Sequence, residues 1–408
     1  QEGLLTLYVD DDKGRVLLSL PAPDAQGLSI RVIHHTALRT GVGSAVTGLD
    51  RAQIGPTHVL AFRQIGRTIV AEFENPSYRA DSGSLDEQAA ARDAFVGSTI
   101  WSTDILATAR DGALLIDIGG FLTRDAHGLV EGLKAAGQGT LRSVADLTLV
   151  DPAQARAFPE NVEMEARLSF SVDSPGQVLR QIAPDARIAT FTVHHSFIKL
   201  PGAGYQTRAF DPRTGAINTL VTDFSAPLTS PVVTRLANRF RLEKTDPSAE
   251  RSTVVEPIIF HVDRAAPEPL RSALVEGAMW WAQAFDQAGY IDAFRVEVLP
   301  EGADPLDARY NVINWVNRAT RSWSYGQSVV DPRTGEIIKG SVLLGSLRVR
   351  QDMLIFEGLL GVGETGTGSV NDPQRIALDR IRQLSAHEVG HAIGLLHNFA
   401  GSTQNRSS

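Results

Sequence analysis

The chain has 408 residues, 43% hydrophobic and 21% charged, a balance ordinary for a globular protein and too long for one core, so two or three domains are expected. A net charge of -8 without a basic, aromatic-interleaved stripe argues against nucleic acid as a partner, and no apolar run approaches the length of a membrane span. The absence of cysteine removes disulfides, thiolate ligands, a cysteine nucleophile and cysteine-based latency.

The chain begins at Gln1, not methionine, which predicts a processed product or a fragment; no signal peptide is visible. Residues 4–20 read as a hairpin turning at DDKG, and 58–73 as a second turning at Gly66. Residues 85–98 have helical composition around Glu87, Ala91 and Phe95. Residues 113–118 read as a strand and 126–136 as a short helix. Residues 162–172 alternate strongly, as a half-buried strand does, and 187–200 follow suit. The pentapeptide DPRTG occurs at 211–215 and again at 331–335, each time between apolar runs. Its Pro and Gly offsets are turn chemistry, and the pair reads as two unrelated hairpin turns.

The polar stretch 243–252 suits a surface linker and divides a β-rich domain, 1–245, from a second domain, 253–408. The second opens with a strand at 257–263 and a long helix at 267–288. Leu270, Leu274, Ala278, Trp281 and Phe285 form that helix's apolar seam. Strands at 294–300 and 311–316, then a hairpin at 325–345, complete an order that favours a mostly parallel sheet. The fold class is α+β. Trp280, Trp281 and Trp315 read as core; Trp323 and Tyr325 are candidates for a cleft wall.

Histidine doublets occur at His34-His35 and His194-His195. Neighbouring side chains on a strand face opposite ways, so neither doublet is a natural chelate; ordinary core or surface roles stand beside a second metal or substrate role. His58 and His261 fall in strands and His127 in a helix, where structural roles are expected.

The last helix carries the most specific chemistry. Asn371-Asp372-Pro373 is a capping sequence with proline at an early helical position, and Ala377, Ile381 and Leu384 recur at helical spacing. His387-Glu388-x-x-His391-x-x-Gly394-x-x-His397 follows. Residues four apart share a helix face, so His387 and His391 can serve one ion. Gly394 lets the helix stop and the chain turn back, bringing His397 as a third nitrogen. Three protein ligands with a fourth position left to water describe a catalytic Zn2+. Glu388 is placed as general base without binding the ion.

This motif and the element order before it resemble the metzincin clan of zinc endopeptidases. More narrowly, the chain resembles a bacterial family of zinc-dependent metalloproteases with a long N-terminal domain of unknown function. Segments carrying that likeness include HHSFIKLPGAGYQTRAFDPRTG, SWSYGQSVVDPRTGEIIKGSVLLGSLRVRQD and IRQLSAHEVGHAIGLLHNFAGS. The resemblance implies a twisted mixed sheet with a crossover helix and a zinc-binding helix. It implies His387, His391 and His397 as metal ligands, Glu388 as the catalytic base, and a protein or peptide substrate. It also implies an antiparallel edge strand along the cleft, here 325–331, to which substrate adds as a strand. A periplasmic or secreted location goes with it.

Metzincins carry a methionine turn after the third histidine, whereas Met164, Met279 and Met353 all lie upstream. A missing C-terminal subdomain is therefore expected. Two alternatives remain open at this point. One is a non-catalytic binding protein that retains a zinc site; the other is an enzyme whose N-terminal half is an inhibitory pro-domain.

Overall fold

The computed structural model describes residues 1–321 and 323–403. Residues 404–408, at the edge of the stretch where the methionine turn was expected, lie outside them. Strands and helices mix in an α+β arrangement, and no helix among the described residues is long and apolar enough to cross a membrane.

The N-terminal half is built on one antiparallel sheet. Its strands are β1 (Leu28–Leu38), β2 (His58–Ile65), β3 (Thr68–Phe73), β4 (Ser98–Asp104), β5 (Thr140–Ser143), β6 (Leu149–Phe158), β7 (Asn161–Asp173) and β8 (Ile188–Lys199). The order across it is β5-β7-β8-β1-β2-β3-β4, with β6 also on β7. The hairpin expected at 4–20 forms as Thr6–Asp10 against Arg15–Leu20 and closes one face. Leu18, Leu60, Phe62, Phe121 and Phe197 are fully buried in the resulting core.

Strand β7 departs from the half-buried reading. Val162, Met164 and Ala166 enter the apolar core, yet the alternate residues Glu163 and Glu165 are buried as well. The polar face of the strand is covered by the C-terminal half. The helix expected at 85–98 ends earlier, at Leu85–Asp93, and Ser98 already begins β4. His127 lies in a turn ahead of the helix Leu129–Ala135, not inside it.

The C-terminal sheet contains β9 (Arg239–Phe240), β10 (Ile258–Val262), β11 (Phe294–Val298), β12 (Asn311–Val316), β13 (Tyr325–Val330) and β14 (Glu336–Gly345). Strands β11, β10, β12 and β14 run parallel in that order, and β13 lies antiparallel on β14. Helices cover one face. The expected helix 267–288 is two, α1 (Leu270–Ala278) and α2 (Trp280–Gln287), joined through Met279. Ala282 N–H bonds back to Met279 O, a three-residue spacing that tightens the chain there. Trp280 consequently points outward, about half exposed, against its core assignment; Trp315 is buried as expected.

Two further helices follow, α3 (Leu347–Leu360) and α4 (Pro373–Ala392). The sequence reading left the first unassigned. Leu354, Ile355 and Leu359 are exposed on it, so its apolar residues form no clean core-facing seam.

Helix α4 crosses α1 at Gly277, where a Cβ would collide with the Arg382 carbonyl oxygen. Ser385 Oγ donates to Leu274 O (2.8 Å) and Trp281 Nε1 to Ala386 O (2.8 Å). The helix that carries the histidines is thereby fixed against α1 and α2.

The other face of the C-terminal sheet packs on the N-terminal sheet. Ile33, Val59 and Ile198 meet Ala308 and Val329 in a small apolar cluster. Beside it lies a buried polar seam. His194 bonds to Glu163 Oε2 through Nε2 (2.7 Å) and to Glu165 Oε1 through Nδ1 (2.8 Å). Arg39 bridges Glu165 and Asp304. Lys339 of β14 donates to the carbonyls of Leu306 (3.0 Å) and Asp307 (2.6 Å).

Candidate metal centre

Helix α4 begins as its sequence predicts. Asp372 is the N-cap, accepting from Gln374 N–H (2.9 Å), with Pro373 next. Ala377, Ile381 and Leu384 face the core. The helix ends in a Schellman turn: Leu395 N–H bonds to Gly390 O (2.9 Å) and Gly394 N–H to His391 O (3.0 Å). Gly394 has φ +106°. The left-handed region favours glycine, and a Cβ there would also strike Asn238 O.

The turn brings three imidazoles together. Nε2 of His397 lies 3.1 Å from Nε2 of His387 and 3.2 Å from Nε2 of His391. His387 and His397 are exposed. His391 Nδ1 donates to Leu395 O (2.7 Å), which fixes its tautomer and leaves the Nε2 lone pair facing the other imidazoles. His387 is held below the usual histidine range, first by burial and then by the two neighbouring imidazoles. Neutral imidazoles with converging lone pairs suit a divalent cation of intermediate softness.

Glu388 is buried beside them. Burial pushes its carboxyl up to about 7, tempered by the Gly326 N–H on β13. Gly326 lies so close to α4 that a Cβ would collide with Glu388 O. Strand β13 is the antiparallel edge strand expected at 325–331, and the turn after it is the second DPRTG copy.

The structure brings His387, His391 and His397 together, with Glu388 next to His387 on α4 and its carboxyl held by Gly326 N–H. Trp323 and Tyr325 lie near the start of β13, bordering a pocket with Asp50 and Gln53. Tyr325 Oη donates to Asp50 Oδ2 (2.9 Å), and Arg318 forms a buried pair with the same carboxylate (2.7 and 2.9 Å). The sequence reading missed Asp50 and Arg318, which are 268 residues apart in the chain.

The histidine doublets split between faces as strand geometry requires. His195 joins His34 in the apolar core (3.2 Å between ring nitrogens), while His194 faces the carboxylates. Glu165, His194 and Asp304 lie close enough to surround an ion. Both nitrogens of His194 are already engaged, however, and the cation between the two acids is Arg39.

Residues 52–245 match the profile of a domain of unknown function (DUF5117), and residues 369–408 match that of the Met-zincin family. No curated protein and no solved structure matches the chain. The second match takes in the N-cap of α4, the three histidines and Glu388, and points to a metzincin-like metallopeptidase that uses a metal ion.

Proposed function

We propose that the protein is a zinc-dependent endopeptidase, with His387, His391 and His397 as metal ligands and Glu388 as the catalytic base. The carrying observation is that His397 Nε2 lies within hydrogen-bonding distance of Nε2 of both His387 and His391, with one ring oriented from behind by Leu395 O. A bound zinc ion supplies Lewis acidity, polarising the scissile carbonyl and acidifying water.

The chain's own groups do the rest. Glu388 accepts a proton from the attacking water and delivers it to the leaving amine. A carboxylate fixed by Gly326 N–H on the helix that carries two of the histidines is placed for both transfers. Strand β13 carries no further strand on its outer edge among the described residues, so an extended peptide can add there by main-chain hydrogen bonds. A periplasmic or secreted setting belongs to the same reading and rests on the family resemblance.

The test uses the full chain loaded with zinc. It should cleave casein or a peptide library and lose that activity to a chelator. Glu388→Gln should retain stoichiometric metal while turnover falls by about 10²–10⁴-fold. A metal-loaded chain that cleaves nothing, or a Glu388→Gln variant as fast as the parent, rejects the assignment.

A further inference from the structure

The segment that carries the third histidine is paired to the N-terminal half. Ile217 N–H donates to Gly394 O (2.7 Å) and Leu396 N–H donates to Gly215 O (2.6 Å), closing an antiparallel bridge between Ala216 and Leu395. Asn238 N–H bonds to Ile217 O (2.8 Å), behind the same turn.

The two DPRTG copies have different partners. Gly215 ends the first and receives Leu396 N–H; Gly335 ends the second and receives Arg239 N–H (3.1 Å). Both copies are turns, as the sequence suggests: Thr214 N–H bonds to Asp211 O and Thr334 N–H to Asp331 O. The first copy leads into the bridge to the metal-site turn; the second closes the β13–β14 hairpin.

Leu395 has two attachments. Its backbone is held by the bridge, and its carbonyl oxygen accepts from His391 Nδ1. His397 lies two residues further on. Displacing residues 394–396 would move the oxygen that orients one imidazole and the backbone that carries another.

We propose that Gly215–Ile217 is a positioning strand for the metal centre, fixing His391 through Leu395 O and His397 through the backbone. The N-terminal half thus completes the metal site, where a pro-domain would occlude it. This rests on the three-histidine assignment above.

Ile217→Pro in the full chain removes the N–H given to Gly394 O, while Ile217→Ala keeps it. Metal affinity is read by competition with a chromophoric chelator, coordination by the visible spectrum of the cobalt(II) form, and folding by metal-free thermal unfolding. Ile217→Pro is expected to weaken affinity about 10–100-fold and alter the cobalt spectrum, as loss of a ligand-orienting partner does. Its metal-free unfolding midpoint should match that of Ile217→Ala, whose affinity should stay within about twofold of the parent.

Equal affinity in Ile217→Pro and parent overturns the proposal. So does a weakening that Ile217→Ala shares. Should Ile217→Pro fail to fold, hydrogen exchange on the metal-free parent decides: the Ile217 and Leu396 amides must be protected together, and free exchange at Leu396 overturns it. A parent chain that binds no divalent metal sinks the function itself; a binding parent with an indifferent Ile217→Pro sinks this inference alone.

Discussion

His391 and His194 are the same residue in opposite circumstances. His391 gives Nδ1 to a carbonyl and leaves Nε2 facing two other imidazoles at a solvent-open site. His194 is buried, and both its nitrogens are bound to carboxylates. Burial works against a charged His194, but the hydrogen bonds and charges of Glu163 and Glu165 outweigh it and push the ring up to about 9. What separates a metal-ready histidine from a structural one is therefore the number of nitrogens left free and the sign of the neighbouring charge.

Removing each histidine in turn tests that contrast. His391→Ala should reduce metal affinity by more than the ~10–100-fold typical of losing an outer-shell partner. As the lost side chain lies at a partly open site, metal-free stability should move much less. A chelator competition beside a denaturant melt reads both, and unchanged metal affinity would contradict the ligand role.

His194→Leu should do the reverse. It takes from Glu163 and Glu165 the imidazole they share, leaving Arg39 on Glu165 alone, at a cost of about 3–5 kcal/mol, while a folded fraction binds metal as the parent does. Loss of metal from folded His194→Leu would mean the seam reaches the metal centre, and the contrast would fail.

The pH dependence follows from the same ring. Its folded pKa lies above the unfolded value of about 6.5, so its stabilisation is fully present below that pH and declines as pH rises through about 9. Lys339 is shifted the other way, to about 8, chiefly by burial, and opposes the decline above that pH. Denaturant unfolding should therefore show stability falling between about pH 6.5 and 8. A flat profile there would contradict the charged state of His194.

The mildest change is expected at His127. It makes one side-chain bond, Nδ1 to Thr36 Oγ1 (2.9 Å), and burial lowers its pKa to about 4. His127→Asn should cost about 1 kcal/mol, the worth of an ordinary hydrogen bond, and leave metal affinity alone. A thermal melt with a metal titration checks it.

The histidine cluster was legible because its determinants are local. The cap at Asp372, the four-residue spacing of His387 and His391 and the turn at Gly394 all lie within one helix and its exit. Strand β13 could be placed because the turn Asp331–Gly335 marks its end. The rest depended on distant partners. Nothing near Lys339 in the chain announces the Leu306 and Asp307 carbonyls, and nothing near Asp50 announces Arg318. The break at Met279 and the exposed apolar residues of α3 defeat reading by periodicity, since neither presents an uninterrupted stripe.

Lys339 has a practical consequence. Its ammonium ends on carbonyl oxygens beneath the N-terminal sheet, next to Val329 on the neighbouring strand. A protein engineer who expressed residues 253–408 alone would strip that cover and present a wet lysine beside a sticky aliphatic patch. Such a miniature would call for a redesigned back surface, with Val329 and Ile338 exchanged for polar side chains, and would still lack the Gly215–Ile217 segment that pairs with its histidine-bearing turn.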